Sequence, residues 1–143
     1  MDLLGKNTLS VVIPTFNEEG NIALLYSKLM EALAPLELTA LELIFVDDGS
    51  HDDSLKIIKR LAKNDKQVKY ISFSRNFGHQ LALKAGLDHA IFHGVVSLDA
   101  DLQHPVELIP EMVKKWRSGT DVVYSKRIDE SLPWFKRTSS KLF

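Results

Sequence analysis

The chain has no cysteine among its 143 residues. A disulfide framework, a thiolate metal site and a cysteine nucleophile are therefore excluded. It also lacks an excess of charge of either sign: 18 Lys and Arg stand against 19 Asp and Glu, for a formal net charge of −1. No global field recruits nucleic acid or an anionic lipid surface. No apolar run reaches the roughly 18 to 20 residues that a membrane span needs. The N-terminus MDLLGKNTLS has no basic stretch followed by a long apolar one, so no secretion signal is evident. Internal repeats and low-complexity segments are absent too. These absences predict a soluble, cytoplasmic chain.

What is present is a 45% hydrophobic content, enough for one domain with a real core. Strand and helix patterns alternate. Leu9 to Ile13 reads as a strand, and Ile22, Leu25, Leu29 and Leu33 follow at helical spacing until Pro35. Leu41 to Val46 is a second strand. Ser50 with Asp53 resembles a capping box ahead of Leu55, Ile58 and Leu61. Val68 to Phe73 is a third strand and Phe77 to Phe92 a third helix, in which Ala82, Ala85 and Gly86 permit close packing. Val95 to Leu98 reads as a short buried strand. Pro105 suits the first turn of a fourth helix, with Leu108, Ile109, Met112, Val113 and Trp116 as its apolar stripe and Gly119 at its end. Asp121 to Tyr124 has the pattern of a fifth strand. The order predicts an α/β fold with a mostly parallel sheet and helices on both faces.

The acids are placed unevenly. Asp99 and Asp101 follow the fourth strand with one small residue between them, and Gln103 and His104 come next. Caps explain one acid at a strand end, not an alternating pair, and carboxylate oxygens suit Mg2+ or Mn2+. The C-terminal edge of such a sheet is where ligands bind, so the pattern points to a divalent cation and a phosphorylated ligand. Strand one ends in PTFNEEGN and strand two in VDDGSHDDS. Asp48, at the second tip, can accept an N–H from a base or a ribose hydroxyl; ordinary turn chemistry explains it equally. Asp52 and Asp53 fit a helix start. An EF-hand is a poor match, because position 12 counted from Asp48 is Lys59 and not Glu. Arg75 could meet phosphate or simply be solvated. His89 and His93 lack the glutamate and third ligand of a zinc site. A receiver domain needs an acid pair after strand one, where Pro14 and Thr15 stand, and a haloacid-dehalogenase-type phosphatase needs its D-x-D there as well.

Taken together, VVIPTFNEEGNI, IFVDDGSHDDS, ISFSRNFGHQLALKAGLDHA and VVSLDADLQHPVELIPEMVKKW resemble the N-terminal part of a family 2 glycosyltransferase of GT-A fold. The RNFGH and DADLQHP forms are similar to polyprenyl-phosphate glycosyltransferases, the dolichol-phosphate mannosyltransferase and bactoprenol glucosyltransferase type. The resemblance implies that Pro14, Phe16, Glu18, Asp48 and Asp99 border the nucleotide. It implies that Asp99 and Asp101 form the D-x-D pair, Asp101 with Gln103 at the metal, and that Arg127 faces the acceptor phosphate or the diphosphate. The implied reaction is inverting transfer of a hexose from a UDP- or GDP-sugar to a polyprenyl phosphate, with Mg2+ or Mn2+ as cofactor, at the cytoplasmic face of a membrane. Residues 1–130 would be the nucleotide-sugar-binding core. Residues 131–143, where Trp134 to Phe143 mixes apolar and basic side chains with Lys136 and Arg137, would begin an acceptor-side or membrane-interface segment. Relatives of this subgroup continue further, so the chain reads as truncated, with membrane contact through the part it lacks. A homo-oligomer is compatible with all of this. The rival expectations are a soluble family 2 transferase acting on a saccharide hydroxyl and a non-catalytic nucleotide-binding fragment.

Overall fold

A computed structural model describes residues 5–126. After a 3₁₀ turn at Gly5–Asn7, the order is β1 (Thr8–Thr15), α1 (Ile22–Leu33), β2 (Ala40–Asp47), α2 (Ser54–Asn64), β3 (Val68–Ser72), α3 (His79–His89), β4 (Gly94–Ser97) and α4 (Ile109–Arg117). The strands form one sheet in the order β3-β2-β1-β4, and every pairing is parallel.

β1 is apolar on consecutive residues because both of its faces are covered. Leu9, Val11 and Ile13 join Leu43 and Phe45 of β2 in the larger core, closed by Leu25 and Leu29 of α1, Ile58 of α2 and Val113 of α4. Val12, Ile44 and Val46 face the opposite way, onto Ala82 of α3. Three helices therefore cover one face and α3 alone covers the other. α3 lies close to the sheet: a Cβ at Gly86 would collide with Val12 Cγ1. The small residues expected to permit that approach are the ones at the contact.

Sequence and structure part at several ends. α3 is shorter than Phe77 to Phe92. Gly78 sits at φ 101, which breaks the helix on its N-terminal side, and Ala90 is extended. The α-helical part of the fourth helix starts at Ile109, with Pro110 in its first turn; Pro105 instead precedes a 3₁₀ turn at Val106–Leu108. Gly119 follows that helix at φ 116, a geometry that costs a glycine little. β4 is an edge strand among the described residues, and Val95 is 45% exposed; an apolar run of four cannot distinguish an edge from a centre. The fifth strand does not form. Residues 121–126 have no regular structure, and Val122 and Tyr124 are 77% and 81% exposed. A cavity of about 490 Å3, lined by residues of β4 on one side and by Asp121 and Val123 to Ser125 on the other, lies between the segment and the β4 edge. Strand propensity is realised only through a partner's ladder. The 131–143 segment lies outside the described residues.

A buried acid holds the end of the sheet away from the C-terminal edge. Glu42 is 1% exposed. It accepts from Ser10 Oγ at 2.5 Å, Lys69 Nζ at 2.6 Å and the Ile91 N–H at 3.0 Å. Phe92 N–H donates to Ser10 Oγ, so the turn between α3 and β4 is tied down as well. Burial works to raise the Glu42 carboxyl, but Lys69, Ser10 and the Ile91 N–H outweigh it and hold it below the ordinary carboxylate range. A lowered folded-state pKa gives stability that is present above the unfolded value of about 4.3 and lost as pH falls through the folded one. Glu42→Gln is expected to be less stable than the parent at neutral pH, with the gap narrowing below about pH 4. Denaturant unfolding at several pH values checks this; a gap independent of pH would refute the role of the Glu42 charge.

Candidate active site

The chain runs from β1 to β2 to β3 in one direction across the sheet, and β4 then returns to the other flank of β1. The strand order reverses at that point, and a crevice lies beyond the C-terminal ends of β1 and β4. Two loops meet there: Phe16 to Asn21 after β1, and Asp99 to Asp101 after β4.

The first loop is fastened to the loop after β2 by reciprocal bonds. Asn17 N–H donates to Ser50 Oγ at 2.9 Å and Glu18 N–H to Ser54 Oγ at 2.8 Å. Glu19 N–H donates to Asp52 Oδ2 at 3.1 Å. In return, His51 N–H reaches Asn17 Oδ1 and Asp53 N–H reaches Glu19 Oε2, both at 2.8 Å. The expected capping box therefore does not form: Ser50 accepts from Asn17, and the Asp53 N–H is taken by Glu19. Loop-to-loop partners have replaced local ones. Burial works to raise Asp52, but the Ser54 hydroxyl and N–H and the Glu19 N–H prevail and lower it. Asp52 accepts the Ser54 N–H at the start of α2, as its position predicts, whereas Asp53 stands at the N-cap without a side-chain cap bond.

Asp48 is 3% exposed. Its Oδ1 accepts the Phe77 N–H at 2.7 Å and its Oδ2 the Gly78 N–H at 3.1 Å. The base-edge and turn alternatives for Asp48 are thus not exclusive, since each carboxylate oxygen has a second lone pair. Gly49 makes this approach possible. It lies at φ 69, and a Cβ there would collide with the backbone of Arg75 and Asn76. Arg75 itself stacks on Phe77, with Cζ 4.0 Å from the ring centroid, and does not line the crevice. The preceding acid, Asp47, is buried, and its Oδ1 has no hydrogen-bond partner among the described residues.

Asp99 and Asp101 face the same crevice. A cavity of about 330 Å3 is lined by Pro14, Phe16, Glu18, Asp48, Asp99 and Asp101 together with Thr15, Asn76, Gly78, His79, Ala82 and Ala100. The six residues expected to border a nucleotide or a metal, other than Gln103 and Arg127, are therefore neighbours in space. Glu18 Oε2 also accepts from Asn21 Nδ2 at 2.7 Å. Gln103 does not line the cavity; its N–H donates to Asp101 Oδ1 at 3.0 Å, so its backbone orients that acid while its side chain is exposed. Arg127, Lys136 and Arg137 lie outside the described residues. Sequence reading gave no role to His79, whose Nε2 donates to Asp99 Oδ1 at 2.6 Å. The two are 20 residues apart on different elements, and the only signal was the place of His79 in RNFGH. His104 accepts the Asp99 N–H through Nδ1 at 3.4 Å. The side chain of Asp99 is 40% exposed, so its charge is partly met by water.

Among the described residues no three His, Asp or Glu side chains are grouped to hold a metal ion. The donor set nevertheless fits Mg2+ or Mn2+. Such ions keep several waters and take one or two carboxylates plus substrate phosphates. Asp99 and Asp101 could supply those carboxylates, since the second oxygen of each has no hydrogen bond among the described residues.

Residues 10–143 match the sequence profile described as Glycosyl transferase family 2. The chain is 46% identical over 136 residues to an uncharacterised glycosyltransferase of Synechocystis sp., covering 94% of this chain and 42% of that protein. It is 41% identical over 145 residues to the bactoprenol glucosyl transferase of Shigella phage SfV, covering 94% and 46%. The chain thus spans less than half the length of these relatives. Among solved structures it resembles a mannosyltransferase of Pyrobaculum calidifontis determined with GDP-Man and Mn2+, with a TM-score of 0.62 and 24% identity over 78% of this chain and 31% of that one. That likeness shows a GT-A fold.

Asp48→Ala removes both acceptors of the Phe77 and Gly78 N–H groups. The loss of two bonds to a charged group is expected to lower stability by about 3 kcal/mol. Denaturant unfolding checks this; a change under about 0.5 kcal/mol would show that the loop after β3 is held elsewhere.

Proposed function

The chain belongs to glycosyl transferase family 2, and we propose that it carries the donor-binding half of a transferase that moves a hexose from a UDP- or GDP-sugar to a polyprenyl phosphate, with inversion at the anomeric carbon. One observation carries the reading: Pro14 at the end of β1 and Phe16, Asp48, Asp99 and Asp101 from the three loops that follow β1, β2 and β4 line one crevice at the point where the strand order reverses.

Each side chain has a task the geometry supports. Asp48, immobilised by two backbone N–H donors, offers fixed acceptors to a base N–H or a ribose hydroxyl. Phe16 is 40% exposed and offers an aromatic surface at the mouth. Asp99 and Asp101 would hold Mg2+ or Mn2+. A bound divalent ion stabilises the charge that develops on a departing diphosphate. With the carboxylates of Glu18, Asp48, Asp99 and Asp101 lining the crevice, a diphosphate would otherwise be repelled.

The acceptor assignment rests on chemistry and on the relatives. A hydroxyl acceptor needs a general base. A phosphate monoester, with a second pKa of about 6, is already largely dianionic at neutral pH and needs cations to place it. Arg127, with Lys136 and Arg137, is proposed for that task. The bactoprenol glucosyl transferase likeness favours a lipid phosphate, met at the cytoplasmic face of a membrane. No helix among the described residues is long and apolar enough to cross one.

Calorimetric titration of the chain with UDP and with GDP, each with and without Mn2+, tests the donor site. Binding of one nucleotide that requires Mn2+, weakened at least tenfold in Asp101→Asn, is expected; binding of neither rejects the assignment. In the longest native product containing this chain, the matching nucleotide sugar should transfer to a polyprenyl phosphate and not to a saccharide hydroxyl. The reverse preference would establish the soluble-transferase alternative.

A further inference from the structure

His79 opens α3 and touches a residue of the opposite connection. Its Nε2 is 2.6 Å from Asp99 Oδ1. What brings it there is the helix register. His79, Ala82 and Gly86 stand at i, i+3 and i+7, on one stripe of α3. Ala82 packs with Val12 and Val46 in the smaller core, and Gly86 lets the helix backbone approach Val12. The same stripe, continued to the first residue of the helix, lowers the imidazole onto the ends of β1 and β4.

The contact also divides the crevice. Beside the cavity of about 330 Å3 lies another of about 210 Å3, lined by Leu83, Ser97, Leu98 and His104. Pro14, His79 and Asp99 line both. The imidazole–carboxylate pair is thus a shared wall, with the D-x-D compartment on one side. Its two side chains are 53% and 40% exposed, so the pair adds little to stability. What it does is limit Asp99 to one orientation. An unpaired carboxylate at that exposure would exchange rotamers, and only some would direct its oxygens toward the compartment that Asp101 lines.

We infer that His79 is a positioning residue: it fixes Asp99 Oδ1 so that Oδ2 and the Asp101 carboxylate are presented together to the metal-bound diphosphate. The inference rests on the donor-site reading above. Partners that orient a carboxylate next to a metal typically change affinity 10- to 100-fold when removed. The contact belongs to α3, so the helix that packs on the sheet also presets the ligand site.

The test is a double-mutant cycle on the chain, read by calorimetry with Mn2+ and whichever of UDP or GDP the parent binds. His79→Ala is expected to weaken binding about tenfold. His79→Gln, which keeps an N–H donor near the Nε2 position, should stay within about threefold of the parent. In an Asp99→Asn background, titrated at the higher concentrations that weaker binding requires, His79→Ala should cost less than about twofold more. The thermal midpoint should move by no more than about 2 °C in the His79 variants. A merely structural His79 would weaken binding equally with and without the Asp99 carboxylate, and that additive result overturns the proposal. So does parent-like binding by His79→Ala, or a glutamine variant as weak as the alanine one. In those cases the donor site itself stands, because the parent still binds. If the parent binds neither nucleotide, the donor reading fails and the inference fails with it.

Discussion

β1 is paired on both edges, to β2 on one side and β4 on the other, and always in parallel. Parallel neighbours cannot be joined by tight turns, so each step demands a crossover through a helix. Two crossovers carry the chain to β3, and the third must bring it back across β1 to reach β4. The strand order therefore reverses at β1. The reversal sets the Phe16 and Asp99 loops, far apart in sequence, at the C-terminal ends of neighbouring strands, where they line one crevice.

The walls of that crevice are made of loop backbone held by side chains. Asn17, Glu18 and Glu19 give N–H groups to Ser50, Ser54 and Asp52, and Asp48 takes two more from the start of the α3 connection. Short polar residues at strand tips do here what ladders do inside the sheet. They also explain why acids gather at this edge without repelling one another to any great extent: most of them accept N–H donors. Glu18, Asp99 and Asp101 line the crevice, each with one oxygen that has no hydrogen bond among the described residues; Asp99 and Asp101, side by side after β4, are the ones proposed to meet a cation. At the opposite end of the strands Glu42 performs a purely structural task, bonded to Ser10, Lys69 and Ile91. The two ends of one sheet show the same residue type committed to folding in one place and left available in the other.

Much of this was legible in the chain itself. The buried stripe of α1 is the predicted set Ile22, Leu25, Leu29 and Leu33, because a period of 3.6 leaves few other faces to bury. The close packing at Ala82 and Gly86 followed from side-chain size. The crevice acids were found because the C-terminal ends of strands are special in parallel sheets, whatever the details. Errors arose where a local signal had a distant competitor. Ser50 and Asp53 look like a capping box, but the β1 loop claims their partners. Asp121 to Tyr124 looks like a strand, but its path past β4 leaves a cavity where a ladder would be. Phe77 and Gly78 look like the start of a helix, but Asp48 holds their N–H groups in the loop.

Composition, periodicity and motif order were sufficient by themselves for the class of fold, the family likeness and the edge of the sheet that carries the acids. These depend on local patterns, and local patterns are written residue by residue. Only the tertiary structure decided which acids stay available, which way β4 faces, and that His79 meets Asp99 across 20 residues. Those outcomes depend on distances between elements. Such distances are set by the packing of α3 on β1 and by the competition of several acceptors for one N–H, neither of which any single segment encodes.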